Sequence, residues 1–241
     1  MKFTYQAYRN LLHMLADAGY GIISYHSVKE EGKCAILRHD IDFSLEKALQ
    51  FAMLEREENV RSTYFVLLTS DFYNPFSEKN AGIIRQIAAC GHEIGLHFDE
   101  TAYPDGIGAD ELKERILKEA GLLETLTEKP VSVVSMHRPS DRILNADLEI
   151  PGMINSYGTK YFREYKYVSD SRMQWREDVC RIISDGAFSK LHILTHAFWY
   201  EEDEKTIQEQ ISRFIRSADR ERYETMRDNI RDLSAIMEPP C

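Results

Sequence analysis

The chain has 241 residues, 43% of them hydrophobic, which suffices for one α/β domain with a substantial core and falls short of two full domains. Its 30 Lys and Arg against 40 Asp and Glu leave a formal net charge of −10, which disfavours a general nucleic-acid or anionic-membrane binder. No stretch reaches the ~20 apolar residues that cross a bilayer, so no membrane insertion is expected. Gln6, Arg9, Asn10 and His13 interrupt the apolar residues of the amino terminus and leave no signal-peptide core. Cys34, Cys90, Cys180 and Cys241 are far apart, with neither zinc-knuckle nor disulfide-framework spacing. A cytoplasmic protein is expected, its thiols small core or surface residues.

In chain order, Tyr8, Leu11, Leu12 and Leu15 fall at helical spacing, and Gly19 and Gly21 end an opening helix. Cys34 to Leu37 reads as a strand. Ser44 then caps a helix with Leu45, Ala48, Leu49, Ala52 and Met53 on one face. Ser62 to Leu68 is a second strand, and Ile83, Ile84, Ile87 and Ala88 mark the helix that leads to Gly91. His92 to Leu96, Val131 to Ser135 and Leu191 to Thr195 are further strands, with a long helix at Ala109 to Leu126. Between Leu144 and Trp175 the pattern is irregular, with short strands near Ser156 and at Tyr165 to Ser169, and a helix follows at Glu177 to Ser184. A final helix carries Ile207, Ile211, Phe214, Ile215 and Ala218, and the interleaved charges of residues 201–232 read as its solvated face. Strands alternating with helices predict a mainly parallel sheet. One domain over 1–241 is expected, with its motifs in about 35–200 and peripheral helices at 1–30 and 201–241.

Four polar clusters fall just past the predicted strand ends: His39-Asp40-Ile41-Asp42, His97-Phe98-Asp99-Glu100, His137-Arg138-Pro139 and His196-Ala197-Phe198-Trp199. In parallel α/β folds that edge carries the active site, so the four can converge. Asp40 and Asp42, two apart, share one side of an extended strand end. Two carboxylates held together need a cation between them or a proton on one. With His97, Asp42 offers the mixed N/O set suited to Zn, Co, Mn or Fe. The plainer reading makes Asp40 and Asp42 caps of the helix at Ser44 and partners of Arg38. His92, an odd number of residues from His97, points to the other face and reads as structural, and His13, His26 and His192 read as ordinary polar residues.

These residues resemble the polysaccharide deacetylase superfamily (NodB-homology, metal-dependent carbohydrate esterases), in the branch with an Asp-x-Asp first motif. The resemblance spans roughly Ala35 to Trp199 and is carried by Leu37-Arg38-His39-Asp40-Ile41-Asp42, Ser62-Thr63-Tyr64-Phe65, Gly91-His92-Glu93-Ile94-Gly95-Leu96-His97 and Leu194-Thr195-His196. It implies a distorted (β/α) barrel of about seven strands and hydrolysis of an N-acetyl group on a sugar in glycan or lipopolysaccharide biosynthesis. It implies Asp40 as general base, Asp42 and His97 as ligands of one divalent metal, most simply Zn with Co, Mn, Fe or Ni as alternatives, and His196 as general acid. The family's second histidine ligand falls at Thr101, so His137 or Asp99 is left to complete the set. Its base-orienting arginine falls at His137, leaving Arg138, Arg172 or Arg38 for that role. Asp170 and Trp175 resemble a supporting motif, and Trp199 and Tyr200 offer aromatic faces to a sugar. The expected substrate is a small-molecule or lipid-linked sugar, whose phosphates would suit Arg138, Arg142 or Arg172. The alternatives are a binding protein that kept the fold and lost the chemistry, and a metal-dependent amidohydrolase of a non-sugar amide.

Overall fold

Residues 1–27, 32–104 and 106–240 are described by a computed structural model; Cys241 lies outside them. Thr4 accepts a hydrogen bond from Ala7 N and starts α1 (Tyr5–Asp17), which buries Tyr8, Leu11, Leu12 and Leu15 as the periodicity predicts. β1 (Gly21–Ile22) pairs with the start of β2 (Cys34–Ile41). Every residue of β2 is buried, and the strand continues four residues beyond the predicted Leu37. The expectation that His39 and Asp40 follow the strand is corrected: each polar side chain here has an internal partner, so the strand can carry them inside.

Ser44 caps α2 (Leu45–Glu57) by accepting from Lys47 N. The buried face of α2 includes Phe51 and Glu55, whereas Met53, expected inside, is 52% exposed. β3 (Thr63–Leu67), α3 (Glu78–Ala89), β4 (Glu93–Asp99) and α4 (Ala109–Thr127) follow. β4 extends past the predicted Leu96, so His97 and Asp99 lie within it. β5 (Val133–His137), α5 (Asp141–Ala146), β6 (Ile154–Asn155), α6 (Thr159–Phe162) and β7 (Lys166–Ser169) fill the irregular stretch. α7 (Val179–Asp185) and β8 (Lys190–Thr195) complete the sheet.

The strand order is β6-β5-β4-β3-β2-β8-β7, with β1 beside β2, and every ladder between these strands is parallel. Its seven-strand path curls into a half-barrel, as the (β/α) expectation requires. The rings of Tyr157 and Phe162 lie 6.5 and 4.9 Å from that of Tyr167, bringing the two ends of the path near each other. Residues 1–200 form one compact unit and 201–241 a second, which holds α8 (Ile207–Asn229) and α9 (Leu233–Ile236). Thr206 and Glu209 build a capping box at the start of α8.

Glu55 on α2 is a fully buried carboxyl in the sheet's outer layer. Glu55 accepts hydrogen bonds from Tyr8 OH (2.6 Å), Ser62 Oγ (2.5 Å) and Tyr64 OH (2.8 Å), and His39 Nε2 lies 2.9 Å away. His39 Nδ1 reaches Thr195 Oγ1 at 2.6 Å, tying α2 through β2 to β8. Burial alone would raise the Glu55 carboxyl, but His39, His92 and Ser62 bring it down from 4.5 to about 2. The folded carboxyl therefore sits below its unfolded value. The stabilisation is complete above pH 4.5 and is lost as pH falls toward 2. Glu55→Ala should cost about 3 to 5 kcal/mol by stranding these donors, measured by urea denaturation at pH 7. Glu55→Gln should flatten the acid limb of the stability curve, and an unchanged limb would contradict this account.

Candidate metal centre and its acid–base groups

Arg38 and Asp40 share one face of β2, by the alternation of an extended strand, and Asp42 follows directly after its last residue, Ile41. Arg38 is fully buried. It donates from Nε to Asp40 Oδ1 (3.2 Å) and from Nη2 to Asp40 Oδ2 (2.7 Å), and further to Ser135 Oγ (2.6 Å) and Ser156 Oγ (2.9 Å). The rings of Phe65 and Tyr157 lie 5.3 and 4.9 Å from its guanidinium carbon. Burial would raise the Asp40 carboxyl, but Arg38, His97 and His196 bring it below its ordinary value. Of the three arginines left open, Arg38 is the one paired with Asp40. Arg138 and Arg172 are exposed, with left-handed backbone at φ 47° and 59°. Arg142 is tied to Ile107 O and Glu100. The plainer reading holds in part: Asp40 does pair with Arg38, while the cap of α2 is Ser44 rather than either aspartate.

Asp42, His97 and His137 offer three ligand atoms within 4.8 Å of one another. Asp42 Oδ1 lies 3.2 Å from His97 Nε2 and 3.4 Å from His137 Nδ1, and those two nitrogens are 3.1 Å apart. Ligands ~2.0–2.1 Å from a tetrahedral zinc stand about 3.3 Å from each other, so the triangle has the size a small divalent ion requires. Asp42 Oδ1 is buried and makes no hydrogen bond despite these short separations, and His97 Nδ1 is likewise without a partner. Burial would raise the Asp42 carboxyl, but His137 and His97 hold it well below the carboxylate range. Asp99 turns back to its own loop, accepting from Thr101 N (2.9 Å) and Oγ1 (2.7 Å), and Thr101 is exposed. The third position of the triangle is therefore filled by His137.

His196 follows β8 with Nε2 3.8 Å from Asp42 Oδ2. Its Nδ1 lies 2.7 Å from Oδ1 of the fully buried Asp170, which also accepts from His196 N and from Tyr200 OH. Burial alone would lower the imidazole, but Asp170, with Asp42 and Asp40, pushes it up to about 9. Asp170 beside Nδ1 thus favours the protonated imidazole. Trp199 is buried beside Phe43 and Phe198, and its Nε1 and that of Trp175 have no acceptor. Tyr200 is fully buried against Tyr8 and Phe51, so the expectation that its face meets a sugar is corrected: it supports Asp170 from the core.

The other histidines stand apart. His92 meets Ala52 O and Ser62, and His192 lies between Tyr25 OH and Tyr161 O, where burial pushes it down to about 3. His13 and His26 meet Glu58 and Glu93. Residue patterning overlooked Ser135, Ser156 and Tyr157. Ser135 was findable, since it precedes His137 by two and shares its face, whereas nothing local marks the other two.

No family model matches the chain, and no curated protein does. Among solved structures, it is similar to a family 4 carbohydrate esterase from Bacillus anthracis at 16% identity and TM-score 0.44, covering 85% of this chain and 83% of that one. A chitin deacetylase from Colletotrichum lindemuthianum gives 17% identity and TM-score 0.47 over 82% and 86% of the two chains. A CE4 family pseudoenzyme from Bacillus anthracis gives 13% and 0.47, over 78% of this chain and 62% of that one. This chain spans just under two thirds of the length of the pseudoenzyme structures it matches.

In the metal-free protein, imidazole NMR should show His196 titrating near 9. Asp170→Asn should lower it by removing the charge beside Nδ1. An unchanged titration would sever the Asp170–His196 link.

Proposed function

We propose that this chain is a metal-dependent deacetylase of the polysaccharide deacetylase superfamily, removing an N-acetyl group from a sugar or sugar-containing intermediate of glycan or lipopolysaccharide biosynthesis. The supporting observation is that one small triangle of Asp42, His97 and His137 has an arginine-held carboxylate on one member and an aspartate-held imidazolium on another. Asp40 Oδ2 lies 3.7 Å from His97 Nε2, and His196 Nε2 lies 3.8 Å from Asp42 Oδ2.

The hydrogen-bond-free Asp42 oxygen and the two imidazoles fit a divalent ion, zinc first, with Co, Mn, Fe or Ni suiting the same donor set. When bound, such an ion polarises the amide carbonyl and makes a water acidic near neutral pH. Asp40 takes the proton of the attacking water. Arg38 fixes both of its oxygens and leaves lone pairs free to accept it. His196 gives a proton from Nε2 to the departing amine, while Asp170 on Nδ1 sets its tautomer and orientation. A protein that kept the fold and lost the chemistry would rest on Thr101 in place of a ligand and on His137 in place of the arginine; the imidazole of His137 beside Asp42 and His97, and the pairing of Arg38 with Asp40, support the catalytic reading instead.

No described helix is long and apolar enough to cross a membrane. The proposed setting is the cytoplasm, with a small-molecule or lipid-linked sugar as substrate. Arg138, which follows His137, and Arg172, two residues after Asp170, suit its phosphates.

Asp40→Asn and His196→Ala should each lower kcat on an N-acetylated sugar by ~10²- to 10⁴-fold with the circular dichroism unchanged. Full activity in either variant would remove its assignment. His137→Ala should weaken zinc binding by at least ~10²-fold in chelator competition, while Asp99→Ala and Thr101→Ala leave it intact. Loss in the Asp99 variant instead would move the third ligand there.

A further inference from the structure

The three residues of the triangle are not held alike. His97 lies within β4 and pairs in register with Leu67 of β3, and His137 ends β5 opposite Asp99 of β4. Asp42 has no such place in a ladder. β2 runs in register with β8 as far as His39 and Thr195 and with β3 as far as Ile41 and Val66, and Asp42 comes next. Its Oδ1 is buried and makes no hydrogen bond, so the side chain would gain by turning toward water. Something other than the sheet keeps it facing the two imidazoles.

The loop between β3 and α3 supplies that hold through two hydroxyls. Tyr73 OH donates to Ile41 O (2.6 Å) and accepts from Leu67 N (3.1 Å), joining the last residue of β2 to the last residue of β3. Ile41 precedes Asp42, and Leu67 is the register partner of His97. The bridge therefore fixes the strand that leads to one ligand against the neighbour of another. Ser70 Oγ donates to Asp42 O (3.3 Å) and accepts from Phe72 N (3.1 Å), which ties the backbone of Asp42 itself to the loop. Each hydroxyl receives a backbone N–H and directs its single proton to a backbone C=O, so both are fully oriented.

Resting on the metal-dependent reading of the site, we propose that Tyr73 and Ser70 are positioning residues for Asp42, holding the end of β2 so that the carboxylate stays within ligand distance of His97 and His137. Their hydroxyls are engaged by the backbone, so they act through Asp42 and not on the metal. Ligand distances at such a site tolerate only about 0.2 Å, so a looser strand end weakens metal binding before it disturbs the fold. Without the Tyr73 hydroxyl, Leu67 N and Ile41 O remain as a donor and an acceptor that reach the same point. They can then pair directly, which keeps the sheet closed while drawing the end of β2 toward β3.

The test measures zinc affinity of the full chain by chelator competition, with urea denaturation of the metal-free samples as the reading of stability. Tyr73→Phe and Ser70→Ala should each weaken zinc binding by about 10-fold, the lower end of what changes around metal ligands produce. Ser70→Thr, which keeps the hydroxyl, should bind zinc as wild type does. The visible absorption of the cobalt-loaded protein should change in Tyr73→Phe and stay unchanged in Ser70→Thr. Ser70→Ala, at a partly exposed loop position, carries the test by itself where Tyr73→Phe is less stable. A merely structural role would lower urea stability and leave zinc affinity and the cobalt spectrum as in wild type, and that result would overturn the proposal. Wild-type zinc binding no tighter than that of His137→Ala would refute the metal centre and the positioning role with it. Acetate release from an N-acetylated sugar is read separately. Zinc affinity that depends on both hydroxyls without acetate release would uphold the positioning role and refute the deacetylase reading, while acetate release with affinity unchanged in both variants would do the reverse.

Discussion

Two carboxylates are held two residues apart, Asp40 on a central strand whose eight residues are all buried and Asp42 just past the end of that strand. Neither can stay ionised there without a partner, and the arrangement of the surrounding residues follows from that constraint. Asp40 is met by Arg38 on the same strand, and Asp42 is surrounded by His97, His137 and His196. These partners come from β2, β4, β5 and the turn after β8, while Ser135 and Ser156, from β5 and the residue after β6, hold the guanidinium. A flat sheet would set β5 and β8 far apart, so the curl of the sheet makes the cluster possible.

β2 also carries polar residues toward its other face. His39 reaches outward to Glu55 on α2 and to Thr195 on β8, while its neighbours Arg38 and Asp40 face the interior. Thr195 precedes His196, so the outer network and the inner site meet at the end of the same pair of strands, with His39 opposite Thr195 in register. The two networks differ in how completely they are satisfied. Glu55 has a donor for each oxygen, whereas Asp42 keeps a buried oxygen with none. That contrast separates a structural carboxylate from one shaped for a ligand, since an unmet buried oxygen is unfavourable unless something else binds it.

Periodicity revealed the helix and strand order from Tyr5 to Leu126 and the polar clusters at one sheet edge, because apolar alternation and cap residues are local signals. Strand ends were less legible. Polar residues such as Arg38 and His39 look like a loop until their partners, 16 to 156 residues away, are known. The choice between His137 and Asp99 was closed to sequence for the same reason: it depends on how β5 lies against β4, where Asp99 pairs with His137 while turning its side chain to Thr101. The same holds for Arg38. Three arginines were equivalent by composition, and only the inward face of β2 distinguishes one.

Anomalous scattering from a zinc-replete crystal tests the central claim most directly. One peak should lie ~2.0–2.2 Å from Asp42, His97 and His137, with Arg38 still on Asp40. A peak bound by Asp99 in place of His137, or no stoichiometric zinc at this triangle, would contradict the account.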